Sequence, residues 1–167
     1  MSRLLPDHLT HGLSIVFCGT EAERTSAARG QCPAHKGNRF WGVLAEAGLT
    51  LHVLRPEDGH LLPSYGTGLT DLATTVAGMD KHIPEVAYVP ERLTELVAVG
   101  LPKAIAFTSL EAARTALADH SVAAGPLGED ARWPGVALWV LSSPSGANAH
   151  FNAASWLALG AWRRSLP

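Results

Sequence analysis

The sequence predicts an α/β fold in which a parallel sheet is covered on both faces. Three observations carry this. Four short apolar runs, bounded by Gly and Pro, have the length and the β-branched or aromatic content of strands. Helix-patterned stretches lie between them, and strands alternating with helices argue for parallel pairing. No linker, internal repeat or low-complexity tract divides the 167 residues, so one domain spanning 1–167 is expected.

The elements follow in chain order. LSIVFCG (13–19) reads as a first strand. GNRFWGVLAEAG (37–48) puts Phe40, Val43, Leu44 and Ala47 on one helical face and stops at Gly48. YGTGLTDL (65–72) is a shorter, weaker strand. PERLTELVAVG (90–100) opens with a proline where helices tolerate one and ends at Gly100. PKAIAFTS (102–109) is the third strand, and TSLEAARTALADH (108–120) offers Thr108 and Glu111 as a capping box. GVALWVLSSP (135–144) is the fourth strand. FNAASWLALGAWRRS (151–165) is the last helix, with Arg163 and Arg164 favourably placed at its C-terminus.

Composition excludes several classes. With 47% hydrophobic and 17% charged residues the chain is of globular type, and a net charge of −2 provides no global positive field for nucleic acid. A nucleic-acid partner must therefore be met by a local patch and by backbone donors. Cys18 and Cys32 are too few for a disulfide framework or a four-cysteine cluster, and the eight histidines show no ligand spacing, so no metal is expected. No apolar stretch reaches the roughly 20 residues of a membrane span, and MSRLLPDHLTHG lacks the apolar core of a signal peptide. The expectation is a cytoplasmic protein without membrane contact.

Ligands of parallel α/β sheets sit beyond the carboxyl ends of the strands. That rule places the loop 19–37, Thr70–Asp71, the Thr108–Ser109 turn and SSPSGANAH (142–150) on one rim. Glu21, two residues past Gly19, is then either a solvated loop acid, an N-cap partner, or a catalytic carboxylate.

These loops carry VFCGTEAE, GNRFW, AGLT, GLTDL and SPSG, in that order. The pattern resembles the uracil-DNA glycosylase superfamily over nearly the whole chain, from about Leu13 to the last helix. The branch it is most similar to is that of the mismatch-specific uracil and thymine-DNA glycosylases. The resemblance implies a three-layer α/β/α sandwich with a central four-stranded parallel sheet. It also implies hydrolysis of the N-glycosidic bond of flipped-out uracil in DNA, with no metal or organic cofactor. Uracil-containing DNA is the expected partner and a monomer the expected state.

Site residues follow by position in these motifs. Where the resembled branch has Asn to hold the nucleophilic water, this chain has Glu21, as the G-Q-D-P-Y branch has Asp. A carboxylate can polarise or deprotonate water and favours an adjacent oxocarbenium ion, whereas an amide can only orient water. Thr20 and Glu23 flank it on the substrate side. Glu23 is bulkier than the Gly of the thymine-accepting branch, which predicts that uracil is favoured and thymine excluded; its alternative is a solvated acid. Asn38 offers a donor and an acceptor matched to the uracil edge, the role the resemblance implies, with a helix N-cap as its alternative. The position of the stacking aromatic falls on Pro33, with His35 or Phe40 as substitutes; Phe40 and Trp41 also read as core with Leu44.

SPSG (143–146) is expected to stabilise the leaving base through Ser143 and backbone N–H groups. Ser145, Gly146, Ala147 and Asn148 are expected to clamp DNA. Ala147 is too small to wedge the duplex, so Asn148 or His150 would fill the gap, against the alternatives of a helix cap and a surface histidine. Ser109, opening its helix, is expected to help hold a DNA phosphate with backbone amides. Asp71 reads as a structural acid and Cys18 as buried filler. Arg24, Arg29, Lys36 and Arg39 make the first loop locally basic, which predicts a small phosphate footprint.

The expected activity is thus monofunctional uracil excision, since no lysine stands where a Schiff base would form. Two other readings remain open. The departures at 21, 33 and 143 fit a slow or inactive uracil-DNA binding module. An enzyme acting on hypoxanthine or xanthine is the other.

Overall fold

The computed structural model of the protein describes residues 10–19, 39–71, 90–145 and 148–167. The four apolar runs become strands, and a fifth joins them: Ile15–Gly19 (β1), Thr67–Asp71 (β2), Ala104–Phe107 (β3), Gly125–Gly128 (β4) and Ala137–Val140 (β5). Spatial order is β2-β1-β3-β5-β4. The first four in that order are parallel, and β4 runs antiparallel on the β5 edge. Every residue of β1 and β3 is buried, as a sheet covered on both faces requires.

The sheet therefore has five strands where four were expected. GPLG carries no apolar run, and its last three residues are exposed, so its sequence shows turn chemistry rather than a strand pattern. Pro126 is tolerated there because an edge strand has one side without ladder bonds.

Four α-helices are described: Phe40–Glu46 (α1), Pro90–Gly100 (α2), Leu110–Leu117 (α3) and Ala154–Arg164 (α4). Alternate strand residues face opposite ways and build two cores. Ile15, Phe17, Leu69 and Trp139 meet α1 and α4 on one face; Cys18, Ile105, Leu138 and Val140 meet α2 and α3 on the other. The result is the three-layer α/β/α arrangement.

Local chemistry explains the helix ends. Behind α1, Gly48 (φ +77°) sits in a left-handed conformation that glycine adopts without strain. The Gly48 N–H donates to Ala45 O at 3.0 Å and the Leu49 N–H to Leu44 O at 2.9 Å, a Schellman stop. The α3 cap is Ser109, whose hydroxyl accepts the Ala112 N–H at 3.0 Å, rather than Thr108. The Thr108 N–H still donates to Cys18 O at 3.0 Å, so Thr108 belongs to the strand ladder and the helix starts one residue later. A 3-10 helix, Pro56–Tyr65, leads into β2.

Arg163 and Arg164 do more than face the end of α4. Arg164 donates to Ala47 O at 3.0 Å, and Arg163 donates to Tyr65 O and, at 3.4 Å, to Leu49 O. Burial, followed by the neighbouring Arg164 charge, lowers the Arg163 pKa from its usual value. The last helix is thereby fastened to the end of α1 and to the 3-10 helix.

Candidate active site

The strand ends define the site. β1 pairs with β2 on one side and β3 on the other, so the chain changes its direction of winding at β1/β3. Open parallel sheets form their ligand crevice beyond the carboxyl ends at such a switch point. The register brings Gly19, Asp71, Phe107 and Val140 to that end, and Leu141 N–H donates to Phe107 O at 2.8 Å just past β5. The loop that follows, Ser142–Ser145, emerges beside the crevice.

This loop is built by its carbonyls. Ser142 O accepts from Trp156 Nε1 at 2.8 Å, and Ser143 O from Asn148 Nδ2 at 2.9 Å. Pro144 O accepts the Arg39 N–H at 2.7 Å. Ser145 O accepts the Asn148 N–H at 3.0 Å and the Arg39 guanidinium at 3.3 Å. Four successive carbonyls are thus held by protein donors. Below the loop, the Ser142 N–H donates to the buried Ser155 hydroxyl at 3.1 Å, and the Ser142 hydroxyl accepts the Asn152 N–H at 3.0 Å. Asn152 Oδ1 in turn accepts the Ala154 N–H at 2.7 Å at the start of α4.

Ser143 is half-buried, and its hydroxyl oxygen accepts the Ser145 N–H at 3.3 Å. A hydroxyl carries one donor and two acceptor lone pairs, so this bond uses only part of its capacity. Arg39 is exposed and its guanidinium lies over the Phe151 ring, 5.0 Å from the centroid. It joins the start of α1 to a loop 106 residues further on.

Two expected roles are corrected. Phe40 is 2% exposed and packed among rings, at 5.7 Å from Phe17, 4.9 Å from Trp41 and 5.9 Å from Trp156. It stands in the core with Trp41, as the helical spacing also allowed, and offers no open face to a base. Asn148 has its amide nitrogen on Ser143 O and its amide oxygen on the His150 N–H at 3.0 Å. Both ends of that side chain are spent inside the loop, so it staples the turn rather than projecting as a wedge. His150 is exposed.

Ser109 is 4% exposed, and its hydroxyl caps α3. Cys18 is fully buried in β1, as expected. Thr20, Glu21, Glu23, Pro33, Asn38, Gly146 and Ala147 lie outside the described residues, as do Cys32, His35 and the basic residues Arg24, Arg29 and Lys36.

Among the described residues, no group of three or more His, Cys, Asp or Glu side chains could hold a metal ion. No helix among them is long and apolar enough to cross a membrane. A groove of about 390 Å³ opens beside the loop, lined in part by Gly125, Ser142, Asn152 and Ser155. Its polar lining already holds the loop and the start of α4. Sequence reasoning missed the loop-building roles of Trp156, Asn148 and Arg39. The first reads as an apolar helix residue and the last as one more loop cation; only the Asn two residues past SPSG was a visible signal.

The uracil DNA glycosylase superfamily model matches residues 6–164. The fold is also that of a solution NMR structure from Methanosarcina acetivorans, described as a "putative Uracil DNA glycosylase". The TM-score is 0.61 at 22% identity, covering 95% of this chain and 96% of that one. Parallel strands, rim loops and a family match over nearly the full length agree: the chain belongs to the uracil DNA glycosylase superfamily and is a DNA glycosylase.

Proposed function

We propose that the protein is a monofunctional uracil-DNA glycosylase of base-excision repair, with the whole reaction carried by one domain. The observation that carries this is the 2.7 Å bond from the Arg39 N–H to Pro144 O. It joins GNRFW to SPSG at the carboxyl end of the sheet, and these motifs bracket the chemistry in the resembled family.

In this reading DNA presents a flipped nucleotide, at a cost of a few kcal/mol that is least at a mispair. Asn38 reads the uracil edge, accepting from N3–H and donating to O4. As the glycosidic bond breaks, electrons pass to the base and leave an oxocarbenium ion on the sugar. Glu21 supports that cation, orients the attacking water and accepts its proton. Ser143 donates to the departing uracil oxygen, where hydrogen-bond donors are worth most because charge develops there. The uracil anion takes up a proton from solvent and Glu21 returns its own to solvent, giving free uracil and an abasic site.

The test is single-turnover base release from a U·G duplex, comparing wild type with Glu21→Gln, with a gel shift in parallel. Expected is release by wild type and slowing of the variant by at least about 10²-fold, with binding retained. Binding without release by the wild type would sink the proposal and leave a recognition module. Release of hypoxanthine or xanthine but not uracil would reassign the substrate.

A further inference from the structure

Arg39 holds the loop after β5 in two ways. It contributes both a backbone donor, to Pro144 O at 2.7 Å, and a side-chain donor, to Ser145 O at 3.3 Å. Its guanidinium also covers Phe151 at 5.0 Å, next to the loop's other anchor, Asn152. A guanidinium can fill these roles together because it is flat and forked; an ammonium has the charge without the shape. Arg39 is moreover the peptide neighbour of Asn38 and the first residue before α1.

We propose that Arg39 is a positioning residue for base release, setting the Ser143–Ser145 loop against the start of α1 through its guanidinium rather than serving chiefly as a phosphate contact. The proposal rests on the uracil reading and deepens it. With the carbonyls of 144 and 145 held by Arg39, the Ser143–Ser145 loop is set against the start of α1. Displacement on the order of 1 Å in such a constellation costs up to 10²-fold in rate while hardly touching affinity.

The experiment compares wild type, Arg39→Met and Arg39→Lys in single-turnover uracil release at saturating U·G duplex. Duplex affinity is followed over a salt series, and amide hydrogen exchange is followed over residues 142–150. In Arg39→Met the maximal rate should fall about 10- to 100-fold with affinity nearly unchanged. Arg39→Lys should bind as wild type yet remain slow. Exchange at the Asn148 amide, which donates to Ser145 O, should accelerate in both, while β1 and β3 stay protected.

A wild-type maximal rate in Arg39→Met, with a salt slope shallower by about 0.9, would mark a phosphate ligand and overturn the proposal. So would full recovery of rate in Arg39→Lys. If the wild type itself releases no uracil, the substrate reading is what fails. Exchange then decides Arg39 alone: acceleration confined to the loop supports its hold, and unchanged protection overturns it.

Discussion

At the scale of single residues, the loop after β5 is held by hydrogen bonds to its carbonyls. Ser143 has its carbonyl on Asn148 and accepts the Ser145 N–H on its hydroxyl oxygen. Its O–H remains as a donor, the capacity that the proposed uracil contact would use. Ser143→Ala should therefore slow base release at saturating DNA by about 10²-fold, with a melting temperature close to wild type; single-turnover kinetics and a thermal scan check both. A rate within a fewfold of wild type would move the donor role to the loop's backbone. Ser143 was singled out by its place in SPSG, and the rate of Ser143→Ala is what tests its role. The turn-holding role of Asn148 was not legible, because an asparagine has several acceptable partners and only the folded turn selects Ser143 O and the His150 N–H.

At the scale of elements, α4 meets the end of α1 more closely than any side chain permits. A Cβ placed on Gly160 would lie 2.1 Å from Ala47 O, a backbone atom that cannot swing aside. Gly160→Ala should therefore cost about 2–3 kcal/mol as overpacking, visible as a lower urea midpoint. Nothing in the helical pattern of FNAASWLALGAWRRS distinguishes this glycine from a tolerated interruption. The turn into β5 offers a second check. Asp130 takes two bonds from the Arg132 guanidinium, both at 2.9 Å, and the Arg132 backbone N–H at 2.9 Å; these hold its carboxyl at about 2.

A carboxyl depressed on folding stabilises the native state above its unfolded value, near pH 4, and loses that contribution as pH falls toward about 2. Asp130→Asn should thus lower stability at pH 7 by no more than about 1 kcal/mol, as for other surface pairs, and the gap to wild type should close near pH 2. Thermal scans at the two pH values measure it. Equal gaps at both would mean that the aspartate charge is not the source.

At the scale of the whole molecule, a net charge of −2 places DNA binding on local donors rather than on a global field. The log of duplex affinity should fall against the log of salt with a slope of about −3 or shallower, measured by fluorescence anisotropy. A slope near −6 would reveal a phosphate footprint much larger than the basic first loop can supply. The strand order matters at this scale too. Winding outward from β1 to β2 and then back across to β3 opens a crevice at the carboxyl ends of the strands.

The sequence by itself determined the layered α/β class, the four parallel strands and the superfamily. All of these rest on local signals: buried runs bounded by Gly and Pro, helical periodicity, and short motifs in order. Tertiary structure alone decided that GPLG becomes an edge strand and that Ser109 rather than Thr108 caps α3. It also decided that Arg39 reaches Ser145, 106 residues away. Each depends on which partner arrives from elsewhere in the chain: an open β5 edge, a strand ladder that keeps Thr108, a loop carbonyl within reach of Arg39. Periodicity records which face a residue turns inward, but hydrogen-bond partners are chosen only when distant segments meet.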